Sequence, residues 1–179
     1  MILTDEARLV KPCEEAGIKE GFSIIRKLEL ELEATTSGGM GLAANQIGIL
    51  KRVCILRIPN WDNINPAVFG YNLINPIIVE KNTPAIVKNE GCLSYPGKVV
   101  ETLRYNEVRV VDTLEPAGRK LTGWAAICCQ HEVDHLNGIT MYMRRYGKID
   151  ANDKCPCGRN SKFKKCCQKE LNKTNLVME

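Results

Sequence analysis

The sequence has little histidine and no long apolar segment, and each absence excludes a class of protein. Only two histidines occur in 179 residues, so a metal site built on three histidines is excluded. No apolar run approaches the ~20 residues of a membrane-spanning helix. Residues 1–6 reach acidic side chains at once and lack the apolar core of a signal peptide. We therefore expect a cytoplasmic protein without a membrane partner.

Cysteine is abundant by comparison. Composition is otherwise ordinary, with 44% hydrophobic and 26% charged residues, and the length allows one well-buried domain with a remainder. Nine cysteines are many for a cytoplasmic chain, and their number is odd. This distribution favours metal binding over a disulfide framework. Four of them lie within thirteen residues near the carboxyl end: Cys155, Cys157, Cys166 and Cys167.

Charge is unevenly distributed along the chain. Residues 1–143 carry 15 Lys and Arg against 17 Asp and Glu, whereas residues 144–179 carry 10 against 4. The net charges are therefore −2 and +6. The basic segment is suited to an anionic partner, but for a charge run alone a solvated surface is the simpler explanation.

The two histidines form an HExxH pattern with Glu132 between them. His131 and His135 are four residues apart, so on a helix both imidazoles lie on one face and can reach one ion. Thr122 suits the N-cap of that helix, and Gly138 suits its end. Two buried core histidines are the alternative interpretation, but the adjacent glutamate favours a metal site.

The third ligand must be found outside this helix. Metzincin proteases need a third histidine where this chain has Met141, and acidic residues are few beyond residue 143. Cys92 is the best upstream candidate because it lies in a short glycine-containing segment. A thiolate with two imidazoles suits zinc or ferrous iron and leaves one position for water. Burial as a free thiol fits four other cysteines better: Cys13, Cys54, Cys128 and Cys129.

Periodicity predicts an α+β domain. An amphipathic helix is expected over 18–34, with Phe22 among its apolar positions, and a central helix carries the two histidines. Residues 59–72 are predicted to form a loop. Strands are predicted at 52–58, 73–79, 84–88 and 107–113.

Three segments together resemble the signature motifs of the peptide deformylase family. They are residues 39–46 (GMGLAANQ), 90–94 (EGCLS) and 130–135 (QHEVDH), in the family's order and approximate spacing. The resemblance covers about residues 2–143. It implies antiparallel strands around a central HExxH helix. It also implies removal of the formyl group from the N-terminal formyl-methionine of newly made polypeptides.

The resemblance also assigns roles to individual residues. Glu132 would move a proton from water to the leaving amine, and the Gln46 side chain with the Leu93 backbone N–H would stabilise the oxyanion. The family usually works with ferrous iron, while zinc, nickel and cobalt are also compatible with this ligand set. The implied metal ligands are Cys92, His131 and His135.

Substrate contacts and an orienting pair follow from the same resemblance. The peptide backbone would add as a strand against Gly41 and Gly91. Arg104 and Asp134 would form a structural pair. The segment between Gly118 and Thr122 is shorter than in many deformylases, so the hairpin before the central helix is expected to be shortened. The pocket for the methionine side chain would be lined by Met40, Trp124, Ile127 and Cys128, although core packing explains these four equally well.

Residues 155–167 resemble the SEC-C motif, the zinc-binding tail of the bacterial preprotein translocase motor. Asn160 stands where that motif usually has a second glycine, and asparagine tolerates the left-handed conformation. The four tail cysteines would hold zinc, and the module's contacts in the motor suggest docking on ribosomal RNA or an exit-site protein. We predict a catalytic domain at 1–147, a linker at 148–154 and a zinc-binding basic tail at 155–179.

Two other functions remain to be weighed. A metallopeptidase is disfavoured because its third ligand is missing. A non-catalytic ribosome-associated adaptor is disfavoured because all the residues that the deformylase reaction needs are present.

Overall fold

The computed structural model describes residues 1–36, 38–59, 68–147 and 149–179. A helix over Gly123–Leu136 lies between two mainly antiparallel sheets, in agreement with the predicted α+β class. The helices are α1 (Glu6–Leu9), α2 (Ile18–Glu33), α3 (Gly123–Leu136) and α4 (Gln168–Thr174). The strands are β1 (Gly41–Ala43), β2 (Val53–Pro59), β3 (Val68–Ile74), β4 (Ile77–Gly91), β5 (Val99–Val111), β6 (Arg119–Thr122) and β7 (Val177–Met178).

The sheets provide the two edges that flank the site. The first sheet has the order β1-β2-β3, so β1 is an edge strand. The second has the order β6-β5-β4-β7, in which β7 runs parallel to β4 and all other neighbours are antiparallel. At the carboxyl end of β4, Gly91 pairs with Val99 of β5. The short strand β7 pairs with two residues of β4, Ile86 and Val87.

Helix α3 is buried on nearly every side. Its residues from Ala126 to Leu136 are all buried, and they include polar and ionisable side chains, which need partners inside the protein. Thr122 occupies the N-cap position without a side-chain capping bond. Gly138, with φ of 70°, ends the helix as predicted, and a Cβ there would lie 2.3 Å from the carbonyl oxygen of Val10.

Several predicted boundaries were wrong. Residues 68–72 belong to β3 rather than to a loop, while residues 60–67 of that predicted loop lie outside the described residues. The predicted strands 73–79 and 84–88 are replaced by the end of β3 and by the single long strand β4. Pairing with β5 keeps β4 extended across its polar positions, through two register shifts that periodicity cannot reveal.

One smaller expectation also needs correction. Phe22 is 49% exposed, and Ile24 takes its place on the buried face of α2. The segment before α3 forms β6, which pairs with β5, and a hairpin shortened relative to the family stays a prediction. Among the described residues, no helix combines the length and apolarity needed to cross a membrane.

The carboxyl-terminal segment packs against the body of the protein. Tyr105 of β5 lies in the same buried apolar cluster as five tail residues. The predicted boundary at 148 falls on a residue outside the described ones, so the division into domain, linker and tail stays a prediction. The buried tail residues are Cys155, Cys157, Phe163, Cys167 and Leu171.

Candidate metal centre and active site

Three predicted ligands converge where β4 ends beside α3. Cys92 directly follows Gly91, the last residue of β4, and faces His131 and His135 one helical turn apart. The Cys92 Sγ and His135 Nε2 atoms are 3.2 Å apart, and the potential ligand atoms of all three residues lie within 4.8 Å of one another. A single ion can therefore contact all three.

The chemistry of these side chains fits a divalent transition metal. His131 Nδ1 is 2.7 Å from Glu90 Oε1, which leaves Nε2 for an ion. Burial lowers the pKa of His135 to about 3, and the nearby charge of His131 contributes to a smaller extent. The His135 imidazole is therefore neutral near pH 7. A thiolate and two imidazoles suit zinc or ferrous iron.

A buried ionic network supports His131 from behind. Arg104 donates to both oxygens of Glu90, at 2.9 and 2.6 Å, and also pairs with Asp134 as predicted. Arg144 donates to the two Asp134 oxygens at 2.9 and 2.6 Å. Burial disfavours both carboxylates, but Arg104 nevertheless lowers the pKa of Glu90 and of Asp134. Both groups are therefore charged and fixed in position.

Glu132 is a buried carboxyl group without a fixed partner for one oxygen. Its Oε2 atom makes no hydrogen bond within the described part of the chain. Burial raises its pKa to about 7, a value suited to proton transfer near neutral pH. A Cβ on Gly41 would lie 2.6 Å from Glu132 Oε1 and 2.8 Å from Cys128 Sγ. Only glycine at residue 41 leaves room for this carboxyl group.

Gln46 presents its amide N–H₂ group to the same space. Its Oε1 accepts a hydrogen bond from the Ala43 backbone N–H at 2.8 Å, which determines the orientation of the amide. Its Nε2 then donates to Ser94 Oγ at 3.1 Å and lies 3.6 Å from Cys92 Sγ. The backbone N–H of Leu93 has no hydrogen-bond acceptor among the residues described. Two donors thus lie beside Cys92: the Gln46 amide, held by these acceptors, and the Leu93 N–H.

One open cavity of about 510 Å³ is lined by Gln46, Cys92, Leu93, His131 and Glu132. Gly41 of the edge strand β1 and Gly91 at the end of β4 also line it. Lys88 and Glu179, which form an ion pair at 3.3 Å, also line it. The apolar part of its wall comes from Met40, Trp124, Ile127 and Cys128, the four residues predicted for a side-chain pocket.

Sequence reasoning missed four residues near the site. Glu90 belongs to the EGCLS motif, which by itself gives it no role. A metal-bound histidine often donates its second ring N–H to a carboxylate, and that rule could have identified Glu90. Ser94 stands in the same motif and positions Gln46. Arg144 and Glu179 have no local signal, because their partners are distant in sequence.

The tail cysteines form a second possible metal site. All four sulfur atoms lie within 4.8 Å of one another, with Cys157 and Cys166 3.4 Å apart and Cys166 and Cys167 3.7 Å apart. Zn–S bonds of ~2.3 Å place the sulfurs of a tetrahedral site about 3.8 Å apart. The four cysteines are free thiols rather than disulfides. Their arrangement therefore fits a structural zinc ion.

Comparisons with known proteins agree for both parts of the chain. The family model of polypeptide deformylase matches residues 1–150, and that of the SEC-C motif matches residues 152–169. Peptide deformylase of Wolbachia sp. subsp. Brugia malayi is 35% identical over 160 residues, covering 83% of this chain and 87% of the relative. That of Neisseria meningitidis serogroup B is 39% identical over 142 residues, covering 76% and 78%.

Solved structures give the same result for the fold. Peptide deformylase from Thermotoga maritima superimposes with a TM-score of 0.68 at 27% identity, covering 82% of this chain and 97% of that structure. The enzyme of the Vibrio parahaemolyticus bacteriophage VP16T, in complex with actinonin, gives a TM-score of 0.62 at 38% identity, covering 78% and 98%. The fold predicted from the sequence is confirmed.

Proposed function

The chain belongs to the peptide deformylase family, and on that premise we propose how its own residues remove the formyl group from N-terminal formyl-methionine of newly made polypeptides. The observation that supports this most directly is the convergence of Cys92, His131 and His135 at a cavity that Glu132 and Gln46 also line. The enzyme class is amide hydrolase acting on a linear formamide. Because its substrates would be made by ribosomes, we also propose a cytoplasmic location.

Cys92, His131 and His135 would hold a divalent ion, with ferrous iron first and zinc, nickel or cobalt as alternatives. Such an ion supplies activation of water and polarisation of a carbonyl group. Glu90 orients His131 through the ring nitrogen that faces away from the ion. The burial of His135 keeps its imidazole neutral and available as a ligand.

Glu132 would transfer the proton. It lies next to a ligand on α3 and lines the cavity, and its carboxyl group is buried. Its raised pKa suits both removal of a proton from water and donation of that proton to the leaving amine. This general acid–base role accounts for a carboxyl group kept beside apolar and thiol side chains.

The Gln46 amide and the Leu93 backbone N–H would stabilise negative charge on the formyl oxygen. The hydrogen bond between Ala43 and Gln46 holds the amide in the donating orientation before substrate arrives. Donors positioned in advance need no reorganisation as charge develops, and one such donor typically contributes ~3 kcal/mol to lowering the barrier.

The substrate backbone would add as a strand between the edges at Gly41 and Gly91. Both positions face the cavity, and β1 is an edge strand of its sheet. The methionine side chain would then point into the apolar wall formed by Met40, Trp124, Ile127 and Cys128. An unbranched thioether suits such an irregular apolar pocket.

Formate release from a formyl-methionyl tripeptide tests this function. The metal-loaded protein should release formate, and Glu132→Ala should reduce the rate by about 10²–10⁴-fold while retaining the metal. Absence of formate from the loaded wild-type protein would refute the assignment. Metal analysis after anaerobic purification should find two ions per chain, one of them zinc in the tail.

We further propose that the tail aids recruitment to the ribosome. Lys162, Lys164 and Lys165 are exposed, and no ion pair to them is found in the described segments. Their charges are therefore available to a phosphate-rich surface. Substituting all three with glutamate should weaken ribosome cosedimentation at low salt, with Lys19→Glu on α2 as the control. Unchanged cosedimentation would refute recruitment through this surface.

A further inference from the structure

Arg144 connects the cysteine tail to the catalytic helix. It ends a short 3₁₀ helix after α3, and its Nε and Nη2 atoms donate to Asp134. Its remaining nitrogen, Nη1, donates to the carbonyl oxygen of Pro156 at 3.2 Å. Pro156 stands between Cys155 and Cys157, two of the four tail thiols. One guanidinium group therefore contacts both the tail and α3.

Asp134 carries this contact onward to a metal ligand. It also pairs with Arg104, which donates twice to Glu90, and Glu90 holds His131 Nδ1 at 2.7 Å. Arg104 is only 2% exposed and Asp134 7%, so water screens these charges poorly. Displacement of Arg144 would leave Asp134 with one cation instead of two and would change the position of Arg104.

The tail is fitted closely around Arg144. Gly158 has φ of 87°, and a Cβ on it would lie 2.2 Å from Arg144 Nη1. Nearby, the Arg159 guanidinium lies 4.8 Å from the centre of the Tyr105 ring and donates to the Lys81 carbonyl oxygen at 2.7 Å. These contacts fix the tail backbone, including the carbonyl group that Arg144 uses.

We propose that the tail is a positioning element for the active-site metal. The Pro156 carbonyl fixes Arg144, and Arg144 acts through Asp134, Arg104 and Glu90 on the orientation of His131. Arg144 is thus a positioning residue, and an intact cysteine cluster would improve metal retention in the active site. This inference rests on the metal ligands of the proposed function, and it does not depend on the substrate or on ribosome recruitment.

Gly158→Ala in the full chain tests the proposal, because it displaces Arg144 without removing any polar group. Asn160→Ala is the matched control, since Asn160 also has a positive φ, of 52°, in the same exposed loop, and the hydrogen bonds of Arg144 go to Asp134 and Pro156 instead. The proteins are loaded with nickel at the active site, and loss of nickel to a chelator is followed separately from loss of zinc. Outer-shell changes typically alter metal affinity 10–100-fold. We expect about tenfold faster nickel loss from Gly158→Ala and wild-type behaviour from Asn160→Ala.

Two further variants keep the test decisive if Gly158→Ala fails to fold. Arg144→Met should release nickel about tenfold faster and Arg144→Lys less so, because lysine restores the charge but only part of the hydrogen bonding. In both, kcat should fall while KM for the peptide stays unchanged, since the peptide groove is not touched. Wild-type nickel loss from folded Gly158→Ala or Arg144→Met would overturn the proposal. Nickel loss is measured without substrate, so a failure of formate release would refute the proposed reaction alone.

Discussion

Adding one methyl group at Gly41 should displace the proton-transfer group of the active site. The Cβ of alanine would lie 2.6 Å from Glu132 Oε1 and 3.0 Å from its Cδ atom, whereas ordinary contacts begin near 3.4 Å. The Glu132 carboxyl group must therefore move by about 0.8 Å. No strain arises in the backbone, because residue 41 does not have a positive φ.

The size of the effect follows from that displacement. A misplacement of ~1 Å at a catalytic group can lower a rate by about 100-fold, which corresponds to about 2.7 kcal/mol of barrier. Overpacking should also lower the free energy of unfolding by ~1–3 kcal/mol. We therefore expect Gly41→Ala to fold, to bind metal and to release formate about 100 times more slowly than the wild type.

Steady-state formate release and metal content measure this prediction directly. Gly147→Ala is the control, because a Cβ at residue 147 meets no atom within 4 Å. A Gly41→Ala enzyme with kcat within about threefold of the wild type would show that the Glu132 position is not critical. Loss of bound metal would instead mean that the displacement reached the ligands on α3.

Three other substitutions or measurements test separate parts of the site. Ser94→Ala removes one acceptor of the Gln46 amide. We expect kcat to fall by less than tenfold, because the bond from the Ala43 N–H still orients the amide. A fall as large as that of Gln46→Ala would contradict this expectation. Glu90→Gln weakens the hydrogen bond to His131 Nδ1, so metal affinity should fall about 10–100-fold in competition with a chelator. Unchanged affinity would refute the role of Glu90 in orienting His131. Burial raises the pKa of Cys13 to about 11, so only ~1 in 1,000 of its thiols is ionised at pH 8. Peptide mass mapping after alkylation of the folded protein should therefore find Cys13 unmodified. Rapid alkylation would contradict its burial.

The tail is part of the packed body of the protein, so its deletion would disturb more than recruitment. From sequence alone, residues 155–179 form a basic appendage that could be deleted to test ribosome binding. In the structure, Cys155, Cys157 and Phe163 are buried against the body. Deletion would therefore expose apolar core and remove a partner of Arg144, so exchange of exposed lysines is the cleaner test of recruitment.

Local sequence determined the catalytic helix and the residues that carry the chemistry. The spacing of His131 and His135 fixes their common helical face, and glycine at residue 138 ends the helix for a local steric reason. The α+β class and the two glycine-containing segments around Gln46 and Cys92 were also predicted, because short motifs determine their own backbone.

Tertiary structure alone decided the partners that act across the chain. The length of β4 depends on pairing with β5 rather than on its own polar and apolar pattern. The pairing of Glu90 with His131 spans 41 positions, and the contact of Arg144 with Pro156 depends on how the tail packs. Such contacts are determined by packing and by burial of charge, which have no periodicity in the sequence. The HExxH segment thus supplies two ligands and a proton carrier, while the fold brings in the third ligand and the ionic network behind it.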